Sequence, residues 1–333
     1  MISNLNRRAS VIGILLAIAA FSAWVLTQEK PVIVNVSEQS SSLPAMSYVG
    51  RQACVNCHVE QDRLWQGSHH DLAMQEANEQ TVLGNFNNAE LTSHGVTTRF
   101  FRRNERFFVN TDGPDGQLAD FEIKYTFGVM PLQQYLIEFP GGRLQAFAIA
   151  WDSRAKEQGG QHWFHLYPDE PIDAQHELHW TQRLQNWNFM CAECHSTHVQ
   201  KNYNPLDRTY DTRWSEIDVS CEACHGAASH HLIWARRNAG FEQINAATKG
   251  LAIQLDARRN AHWNIDPASG NVRRDLSRQS DKEIQTCARC HSRRTALFGD
   301  ADPGKLLNSH AVSLLQSSLY HVDGQIKDEV YEY

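Results

Sequence analysis

Long runs of one charge sign are missing from this chain of 333 residues, in which 31 basic side chains face 38 acidic ones for a formal net charge of −7. With no basic run and an acidic balance, a nucleic-acid partner is not expected. A Gly-rich phosphate loop, a nucleophile elbow and an H-E-x-x-H helix are absent too. The usual signatures of nucleotide, acyl-transfer and zinc-hydrolase chemistry therefore have no foothold. Methionine is scarce at five residues: Met1 is terminal and Met190 abuts Cys191, leaving Met46, Met74 and Met130. Cysteine outside a single repeated pattern does not occur. The composition is otherwise that of a globular chain, 41% hydrophobic and 21% charged. Histidine is abundant, seventeen residues against eight cysteines, and the placement of these two types decides the chemistry.

All eight cysteines belong to one motif written four times: Cys54-Val-Asn-Cys57-His58, Cys191-Ala-Glu-Cys194-His195, Cys221-Glu-Ala-Cys224-His225 and Cys287-Ala-Arg-Cys290-His291. Each copy predicts one covalently attached c-type haem, four in all. The two thiols add to the vinyl groups of one porphyrin edge, and the two-residue gap matches their separation. The histidine that comes next, His58, His195, His225 or His291, is the predicted proximal iron ligand. Zinc sites, iron–sulfur clusters, redox dithiols and disulfides also use cysteine pairs, but none requires a histidine directly after the second cysteine. Chance would place one there at about 5% of pairs, and at four pairs on the order of once in 10⁵.

Electron-carrying haems usually hold a second histidine or a methionine opposite the first ligand. The histidine supply allows bis-histidine ligation at every site. The candidate distal ligands near the motifs are His69 and His70 after the first, His198 after the second, His230 and His231 after the third, and His310 and His321 after the fourth. Which of them serves which iron is left open by the sequence. His94, His162, His165, His176, His179 and His262 read as surface or hydrogen-bonded side chains. Trp65, Trp180, Trp187 and Trp214 read as packing against porphyrin.

Arg7 and Arg8 precede an uncharged stretch from Ala9 to Thr27. Its length approaches the roughly 20 residues that span a bilayer as a helix. Either an uncleaved anchor or a cleaved signal peptide fits residues 1–30, and the flanking arginines keep the first residues in the cytoplasm. Both readings deliver the remainder to the periplasmic or another extracytoplasmic face, anchored to the inner membrane in the first case. Covalent haem attachment takes place there, where the thiols are reduced just before ligation.

Residues 31–47 read as a tether and residues 48–89 as a first haem segment. Residues 90–167 hold no cysteine and show the two-residue period of strands: Phe121, Ile123, Tyr125 and Phe127 alternate with Glu122, Lys124 and Thr126. Asp115-Gly116 and Pro140-Gly141-Gly142 supply turns, so an antiparallel β insertion of four to six strands is expected. Residues 168–333 read as a three-haem segment. The expected fold class is α+β, a multihaem cytochrome fold that is mostly helix and loop around stacked haems, with that β insertion and an N-terminal transmembrane helix.

Beyond the motifs, the runs Tyr48–Cys54, Trp65–Met74, Tyr125–Val129, Pro131–Tyr135, Pro140–Arg143, Trp163–Pro168, Trp214–Asp218 and Leu319–Gln325, with Trp187-Asn188, are similar to those of a known family. The chain resembles the multihaem cytochromes with cytochrome c-554-type haem domains, in particular the bacterial group whose C-terminal half is tetratricopeptide repeats. The resemblance covers nearly everything from Tyr48 onward. It implies that His70 and His231 ligate haem iron, with His321 a further candidate. After the third motif that family usually has Cys-His-Gly-Pro-Gly-Ser, whereas this chain has Ala227 and Ala228, so the choice between His230 and His231 stays open. Relatives continue past the equivalent of Tyr331 into a further haem motif and the repeats, and the chain reads as a shortened form.

The leading expectation is an electron carrier rather than an enzyme, a four-haem wire linking redox protein donors and acceptors in an extracytoplasmic respiratory chain, with a membrane contact through the N-terminal helix. The alternative is an oxidoreductase acting on a small nitrogen or sulfur compound at one five-coordinate haem. All four motifs end in histidine, so no haem is marked as open. A scaffold for other redox proteins would rest on the repeats.

Overall fold

The computed structural model describes residues 43–256, 258–297, 310–312 and 321. Strands dominate them. Antiparallel pairing joins β1 (Met74–Glu76), β2 (Ala89–Ser93), β3 (Val96–Arg103), β4 (Arg106–Asp112), β5 (Leu118–Phe127), β6 (Leu132–Phe139), β7 (Arg143–Ala146), β8 (Ile149–Asp152) and β9 (His162–His165) into one sheet. Its main path runs β2-β3-β4-β5-β6-β8-β9, with β1 added beside β5 and β7 beside β6. The two ends of that path curl towards each other. His94, in the turn after β2, donates from Nε2 to the Tyr167 carbonyl just beyond β9 at 3.0 Å, so the sheet is nearly a closed barrel.

The alternation read in β5 survives with one shift. The register slips between Ile123 and Tyr125, a bulge that lets the strand leave one packing surface and join another. Phe86, Phe100, Phe107, Val109, Ile123, Tyr135, Ile137, Trp163 and Trp180 fill the barrel. Met74, Phe127, Leu136, Leu144, Ala146, Trp187 and Ala192 make a second core outside it. β6 serves both, because Tyr135 and Ile137 face inward while Leu136 faces outward. A strand buried on both sides reads as a continuous apolar run, and β6 has one in Tyr135-Leu136-Ile137. Trp187 and Ala192 flank Cys191, so this second core fixes the second motif against the sheet.

The expected fold class is therefore corrected. The regular structure of the described residues is mostly strand and not helix; a nine-stranded sheet dominates it, larger than the four to six strands expected. The helices of the haem segments are short, the longest being the ten residues Lys282–His291, and small two-stranded pairs lie between them. The physical reason lies in the aromatic and β-branched side chains of residues 89–165, which pack well on a pleated surface. A motif of five residues, by contrast, needs little more than one helical turn. Among the described residues no helix is long and apolar enough to cross a membrane. The anchor or signal expected over residues 1–30, and most of the tether over 31–47, lie outside the described residues.

Candidate functional site

Each motif occupies about one turn of helix, which brings its second cysteine and its histidine back over the first cysteine. The first comes after the short 3₁₀ turn Arg51–Ala53, and His58 N–H donates to the Cys54 carbonyl at 3.0 Å. The second spans the helix Ala192–His195, the third is the helix Cys221–His225, and the fourth ends the helix Lys282–His291. Two cavities lie among them. One of about 210 Å³ is lined by Cys54, His58, Trp65, Cys221 and His225. A larger one of about 700 Å³ is lined by Cys194, His195, Cys287, Cys290 and His291. His70, Val219 and Cys224 line both, so the third motif stands between the first and the other two.

Charged residues inside the motifs hold these segments together. Glu222, 1% exposed, accepts from the Val49 and Gly50 N–H groups at 2.9 and 2.8 Å and from Ala228 N–H at 2.8 Å. A carboxylate of the third motif thus fastens the chain just before the first. Glu193 of the second motif accepts from Arg289 of the fourth at 3.1 Å and from Arg294 at 3.3 Å, with His310 Nε2 at 3.2 Å. Burial raises the Glu193 carboxyl, but Arg294 and Arg289 outweigh it and leave its pKa below the ordinary value. Arg294 also donates to Cys194 Sγ at 3.4 Å. Cys194 is shifted down, first by the neighbouring Cys290 thiol, against burial. On the other side, the neighbouring Cys54 and Cys221 thiols shift each other, which raises Cys54 and lowers Cys221 to about 7. Asp218 is pushed up to about 7, by burial first and then by Glu216.

The imidazoles are set as metal ligands usually are. Nδ1 of His195 lies 2.9 Å from the Ala73 carbonyl, that of His225 3.1 Å from Ile253, and that of His231 2.8 Å from Lys249. A carbonyl only accepts, so Nδ1 carries the proton and Nε2 is the nitrogen available to a metal. Outer carbonyls fix the tautomer and ring angle of ligating histidines in this way. Two ring pairs also stand at telling separations. His58 and His231 have centroids 6.1 Å apart at 35°, and His70 and His291 have centroids 6.2 Å apart at 67°. Two imidazole nitrogens, each about 2.0 Å from a shared metal, put their ring centroids roughly 6.3 Å apart. The chemistry of this donor set, thiol pairs beside imidazoles that stand in twos at this separation, fits haem.

The remaining candidates fall differently. His230 donates from Nε2 to the Pro44 carbonyl at 2.7 Å, which separates it from His231. His69 lines the larger cavity. His198 lines it too, stacked on Tyr48 at 3.7 Å with Nδ1 2.8 Å from Ser215 Oγ. His310 is buried against Glu193, and His321 is exposed. Trp65 lines the smaller cavity and donates to the Val219 carbonyl at 3.0 Å. Trp180 lies in the barrel core instead, and Trp187 and Trp214 pack edge to face in the second core. Sequence reasoning passed over Glu193, Glu222 and Arg289. Their signal was present, since two motifs carry a glutamate and one an arginine between their cysteines.

The family described as "Cytochrome c554 and c-prime" matches residues 150–226. That stretch contains the second and third motifs, and the match implies covalently bound c-type haem and electron transfer. No match was found among curated proteins. Among solved structures, the outer cell wall cytochrome OcwA is similar at 17% identity and a TM-score of 0.49. The similarity covers 86% of this chain and 50% of that one, so the chain spans about half the length of that structure.

Proposed function

We propose that this multihaem c-type cytochrome carries four haems and relays electrons between redox proteins in an extracytoplasmic respiratory chain. The haems are attached at Cys54 and Cys57, Cys191 and Cys194, Cys221 and Cys224, and Cys287 and Cys290. His58, His195, His225 and His291 would hold the irons from the motif side, with His231 paired to His58 and His70 to His291 as the second ligands. The observation that carries this reading is the two ring pairs with centroids 6.1 and 6.2 Å apart, each joining a motif histidine to one from another segment. The Nδ1 anchoring of His195, His225 and His231 supports it, because it holds Nε2 ready without a change of rotamer. Haem, when bound, supplies one-electron iron chemistry, and two imidazole ligands seal it against small molecules.

The test is pyridine haemochrome absorbance of the purified holoprotein, with electron paramagnetic resonance before and after adding carbon monoxide or nitrite. Four haems per chain, all low-spin and indifferent to both ligands, are expected. Fewer haems would overturn the count. A high-spin signal that shifts with either ligand would mean an open iron and a catalytic site.

A further inference from the structure

Buried charge is distributed unevenly around the motifs. Just before the first motif, Glu222 of the third accepts from the Val49 and Gly50 N–H groups, and Glu216 accepts from Arg51 N–H at 2.8 Å, so two carboxylates stand beside Cys54 and Cys221. Arg51, the cation nearby, is engaged with Asp62 at 2.6 Å. At the second and fourth motifs the sign reverses. Arg289 and Arg294, 17% and 6% exposed, share the single carboxylate of Glu193, which leaves a surplus of positive charge beside Cys194 and Cys290. The third motif lies between these fields, with Cys221 on the cavity of Cys54 and Cys224 on the cavity that Arg289 lines. Its place on both cavities matches that order.

We propose that these side chains grade the reduction potentials of the haems, lowest at the first motif, intermediate at the third and highest at the second and fourth. Reduction removes one positive charge from a haem. A buried carboxylate therefore favours the oxidised form, a buried guanidinium favours the reduced form, and low dielectric strengthens both. A reduced donor protein gives one electron at the Cys54–His58 end. The electron passes through the third site, and an oxidised acceptor protein takes it near Cys194 and Cys290. Arg289 and Glu216 act here as tuning residues, and the inference rests on the haem reading above.

Potentiometric titration of the holoprotein, followed by visible absorbance, tests it. Arg289→Gln lowers the highest midpoint by about tenfold in the redox equilibrium, 59 mV for one electron, and leaves the lowest in place. Arg289→Lys keeps the charge and restores the highest midpoint. Glu216→Gln raises the lowest one. If Arg289→Gln does not accumulate, Glu193→Gln serves in its place and raises the highest midpoint. Unmoved midpoints in a fully haem-loaded variant, or a shift at the opposite end of the titration, would overturn the gradient. Haem content per chain, measured separately, decides whether the underlying haem reading has failed instead.

Discussion

Glu193 and Arg289 hold the same place, third residue of their motifs, and their side chains meet at 3.1 Å across 96 residues of sequence. Both are mostly buried, and Arg294 completes the network from the next strand, Arg294–Ala296. Removing one partner of such a pair leaves an uncompensated charge. Glu193→Gln should cost about 3 kcal/mol. The double variant with Arg289→Gln should cost less than the two single losses added together. Thermal unfolding of the four proteins measures this, and additive losses would mean that the contact is not energetically real.

His231 and His230 are adjacent, yet His231 stands beside His58 while His230 is bonded to the Pro44 carbonyl. His231→Ala should turn one low-spin haem high-spin and open it to carbon monoxide, whereas His230→Ala should leave the spectrum unchanged. His70→Ala should act like His231→Ala, at a different haem. The reverse outcome for the two neighbours would reassign the ligand.

Gly250 lies against the backbone of that ligand. A Cβ there would stand 2.7 Å from the His230 carbonyl carbon and 2.8 Å from the His231 nitrogen, at a φ of +75°. Both the conformation and the space demand glycine. Gly250→Ala should destabilise the protein by about 1–3 kcal/mol and raise the high-spin fraction at the same haem as His231→Ala. A wild-type spectrum would show that the loop gives way without moving the ligand.

His165, at the open edge of the barrel, is held at a pKa of about 4, by burial first and by the neighbouring His94 second. Its unfolded value is 6.5, so between pH 6.5 and 4 the unfolded chain binds a proton that the folded chain refuses. The associated stability is present above pH 6.5 and is lost as pH falls, by at most about 3 kcal/mol. His165→Gln should flatten the fall in thermal midpoint between pH 7 and pH 5. An unchanged slope would assign the acid sensitivity to other groups.

Much of the site was legible because its chemistry is local. Five consecutive residues name a haem and its first ligand, and no folding is needed to read them. The distal ligands are not local: His231 meets His58 from 173 residues away, and their candidacy is all that a linear reading offers. His230 and His231 are chemically identical in the sequence, and a carbonyl of Pro44 tells them apart. The sheet was legible in kind through the alternation in Phe121–Phe127. It was not legible in extent, because β6 is buried on both faces and shows no alternation, while β7 and β8 are four residues each. The charges between the cysteines were visible throughout. Their partners lie in other motifs, and no local pattern links Glu193 to Arg289.

The clasp formed by Glu222 also bears on the timing of assembly. Val49 and Gly50 precede the carboxylate that fastens them by 173 and 172 residues of sequence. The segment carrying the first motif therefore has to wait, extended and accessible, while the sheet is made behind it. Closing so long a loop is slow but costs little more than closing a short one. The earliest haem site to be synthesised is thus locked only once the third motif exists, a longer wait than the 96 residues between Glu193 and Arg289.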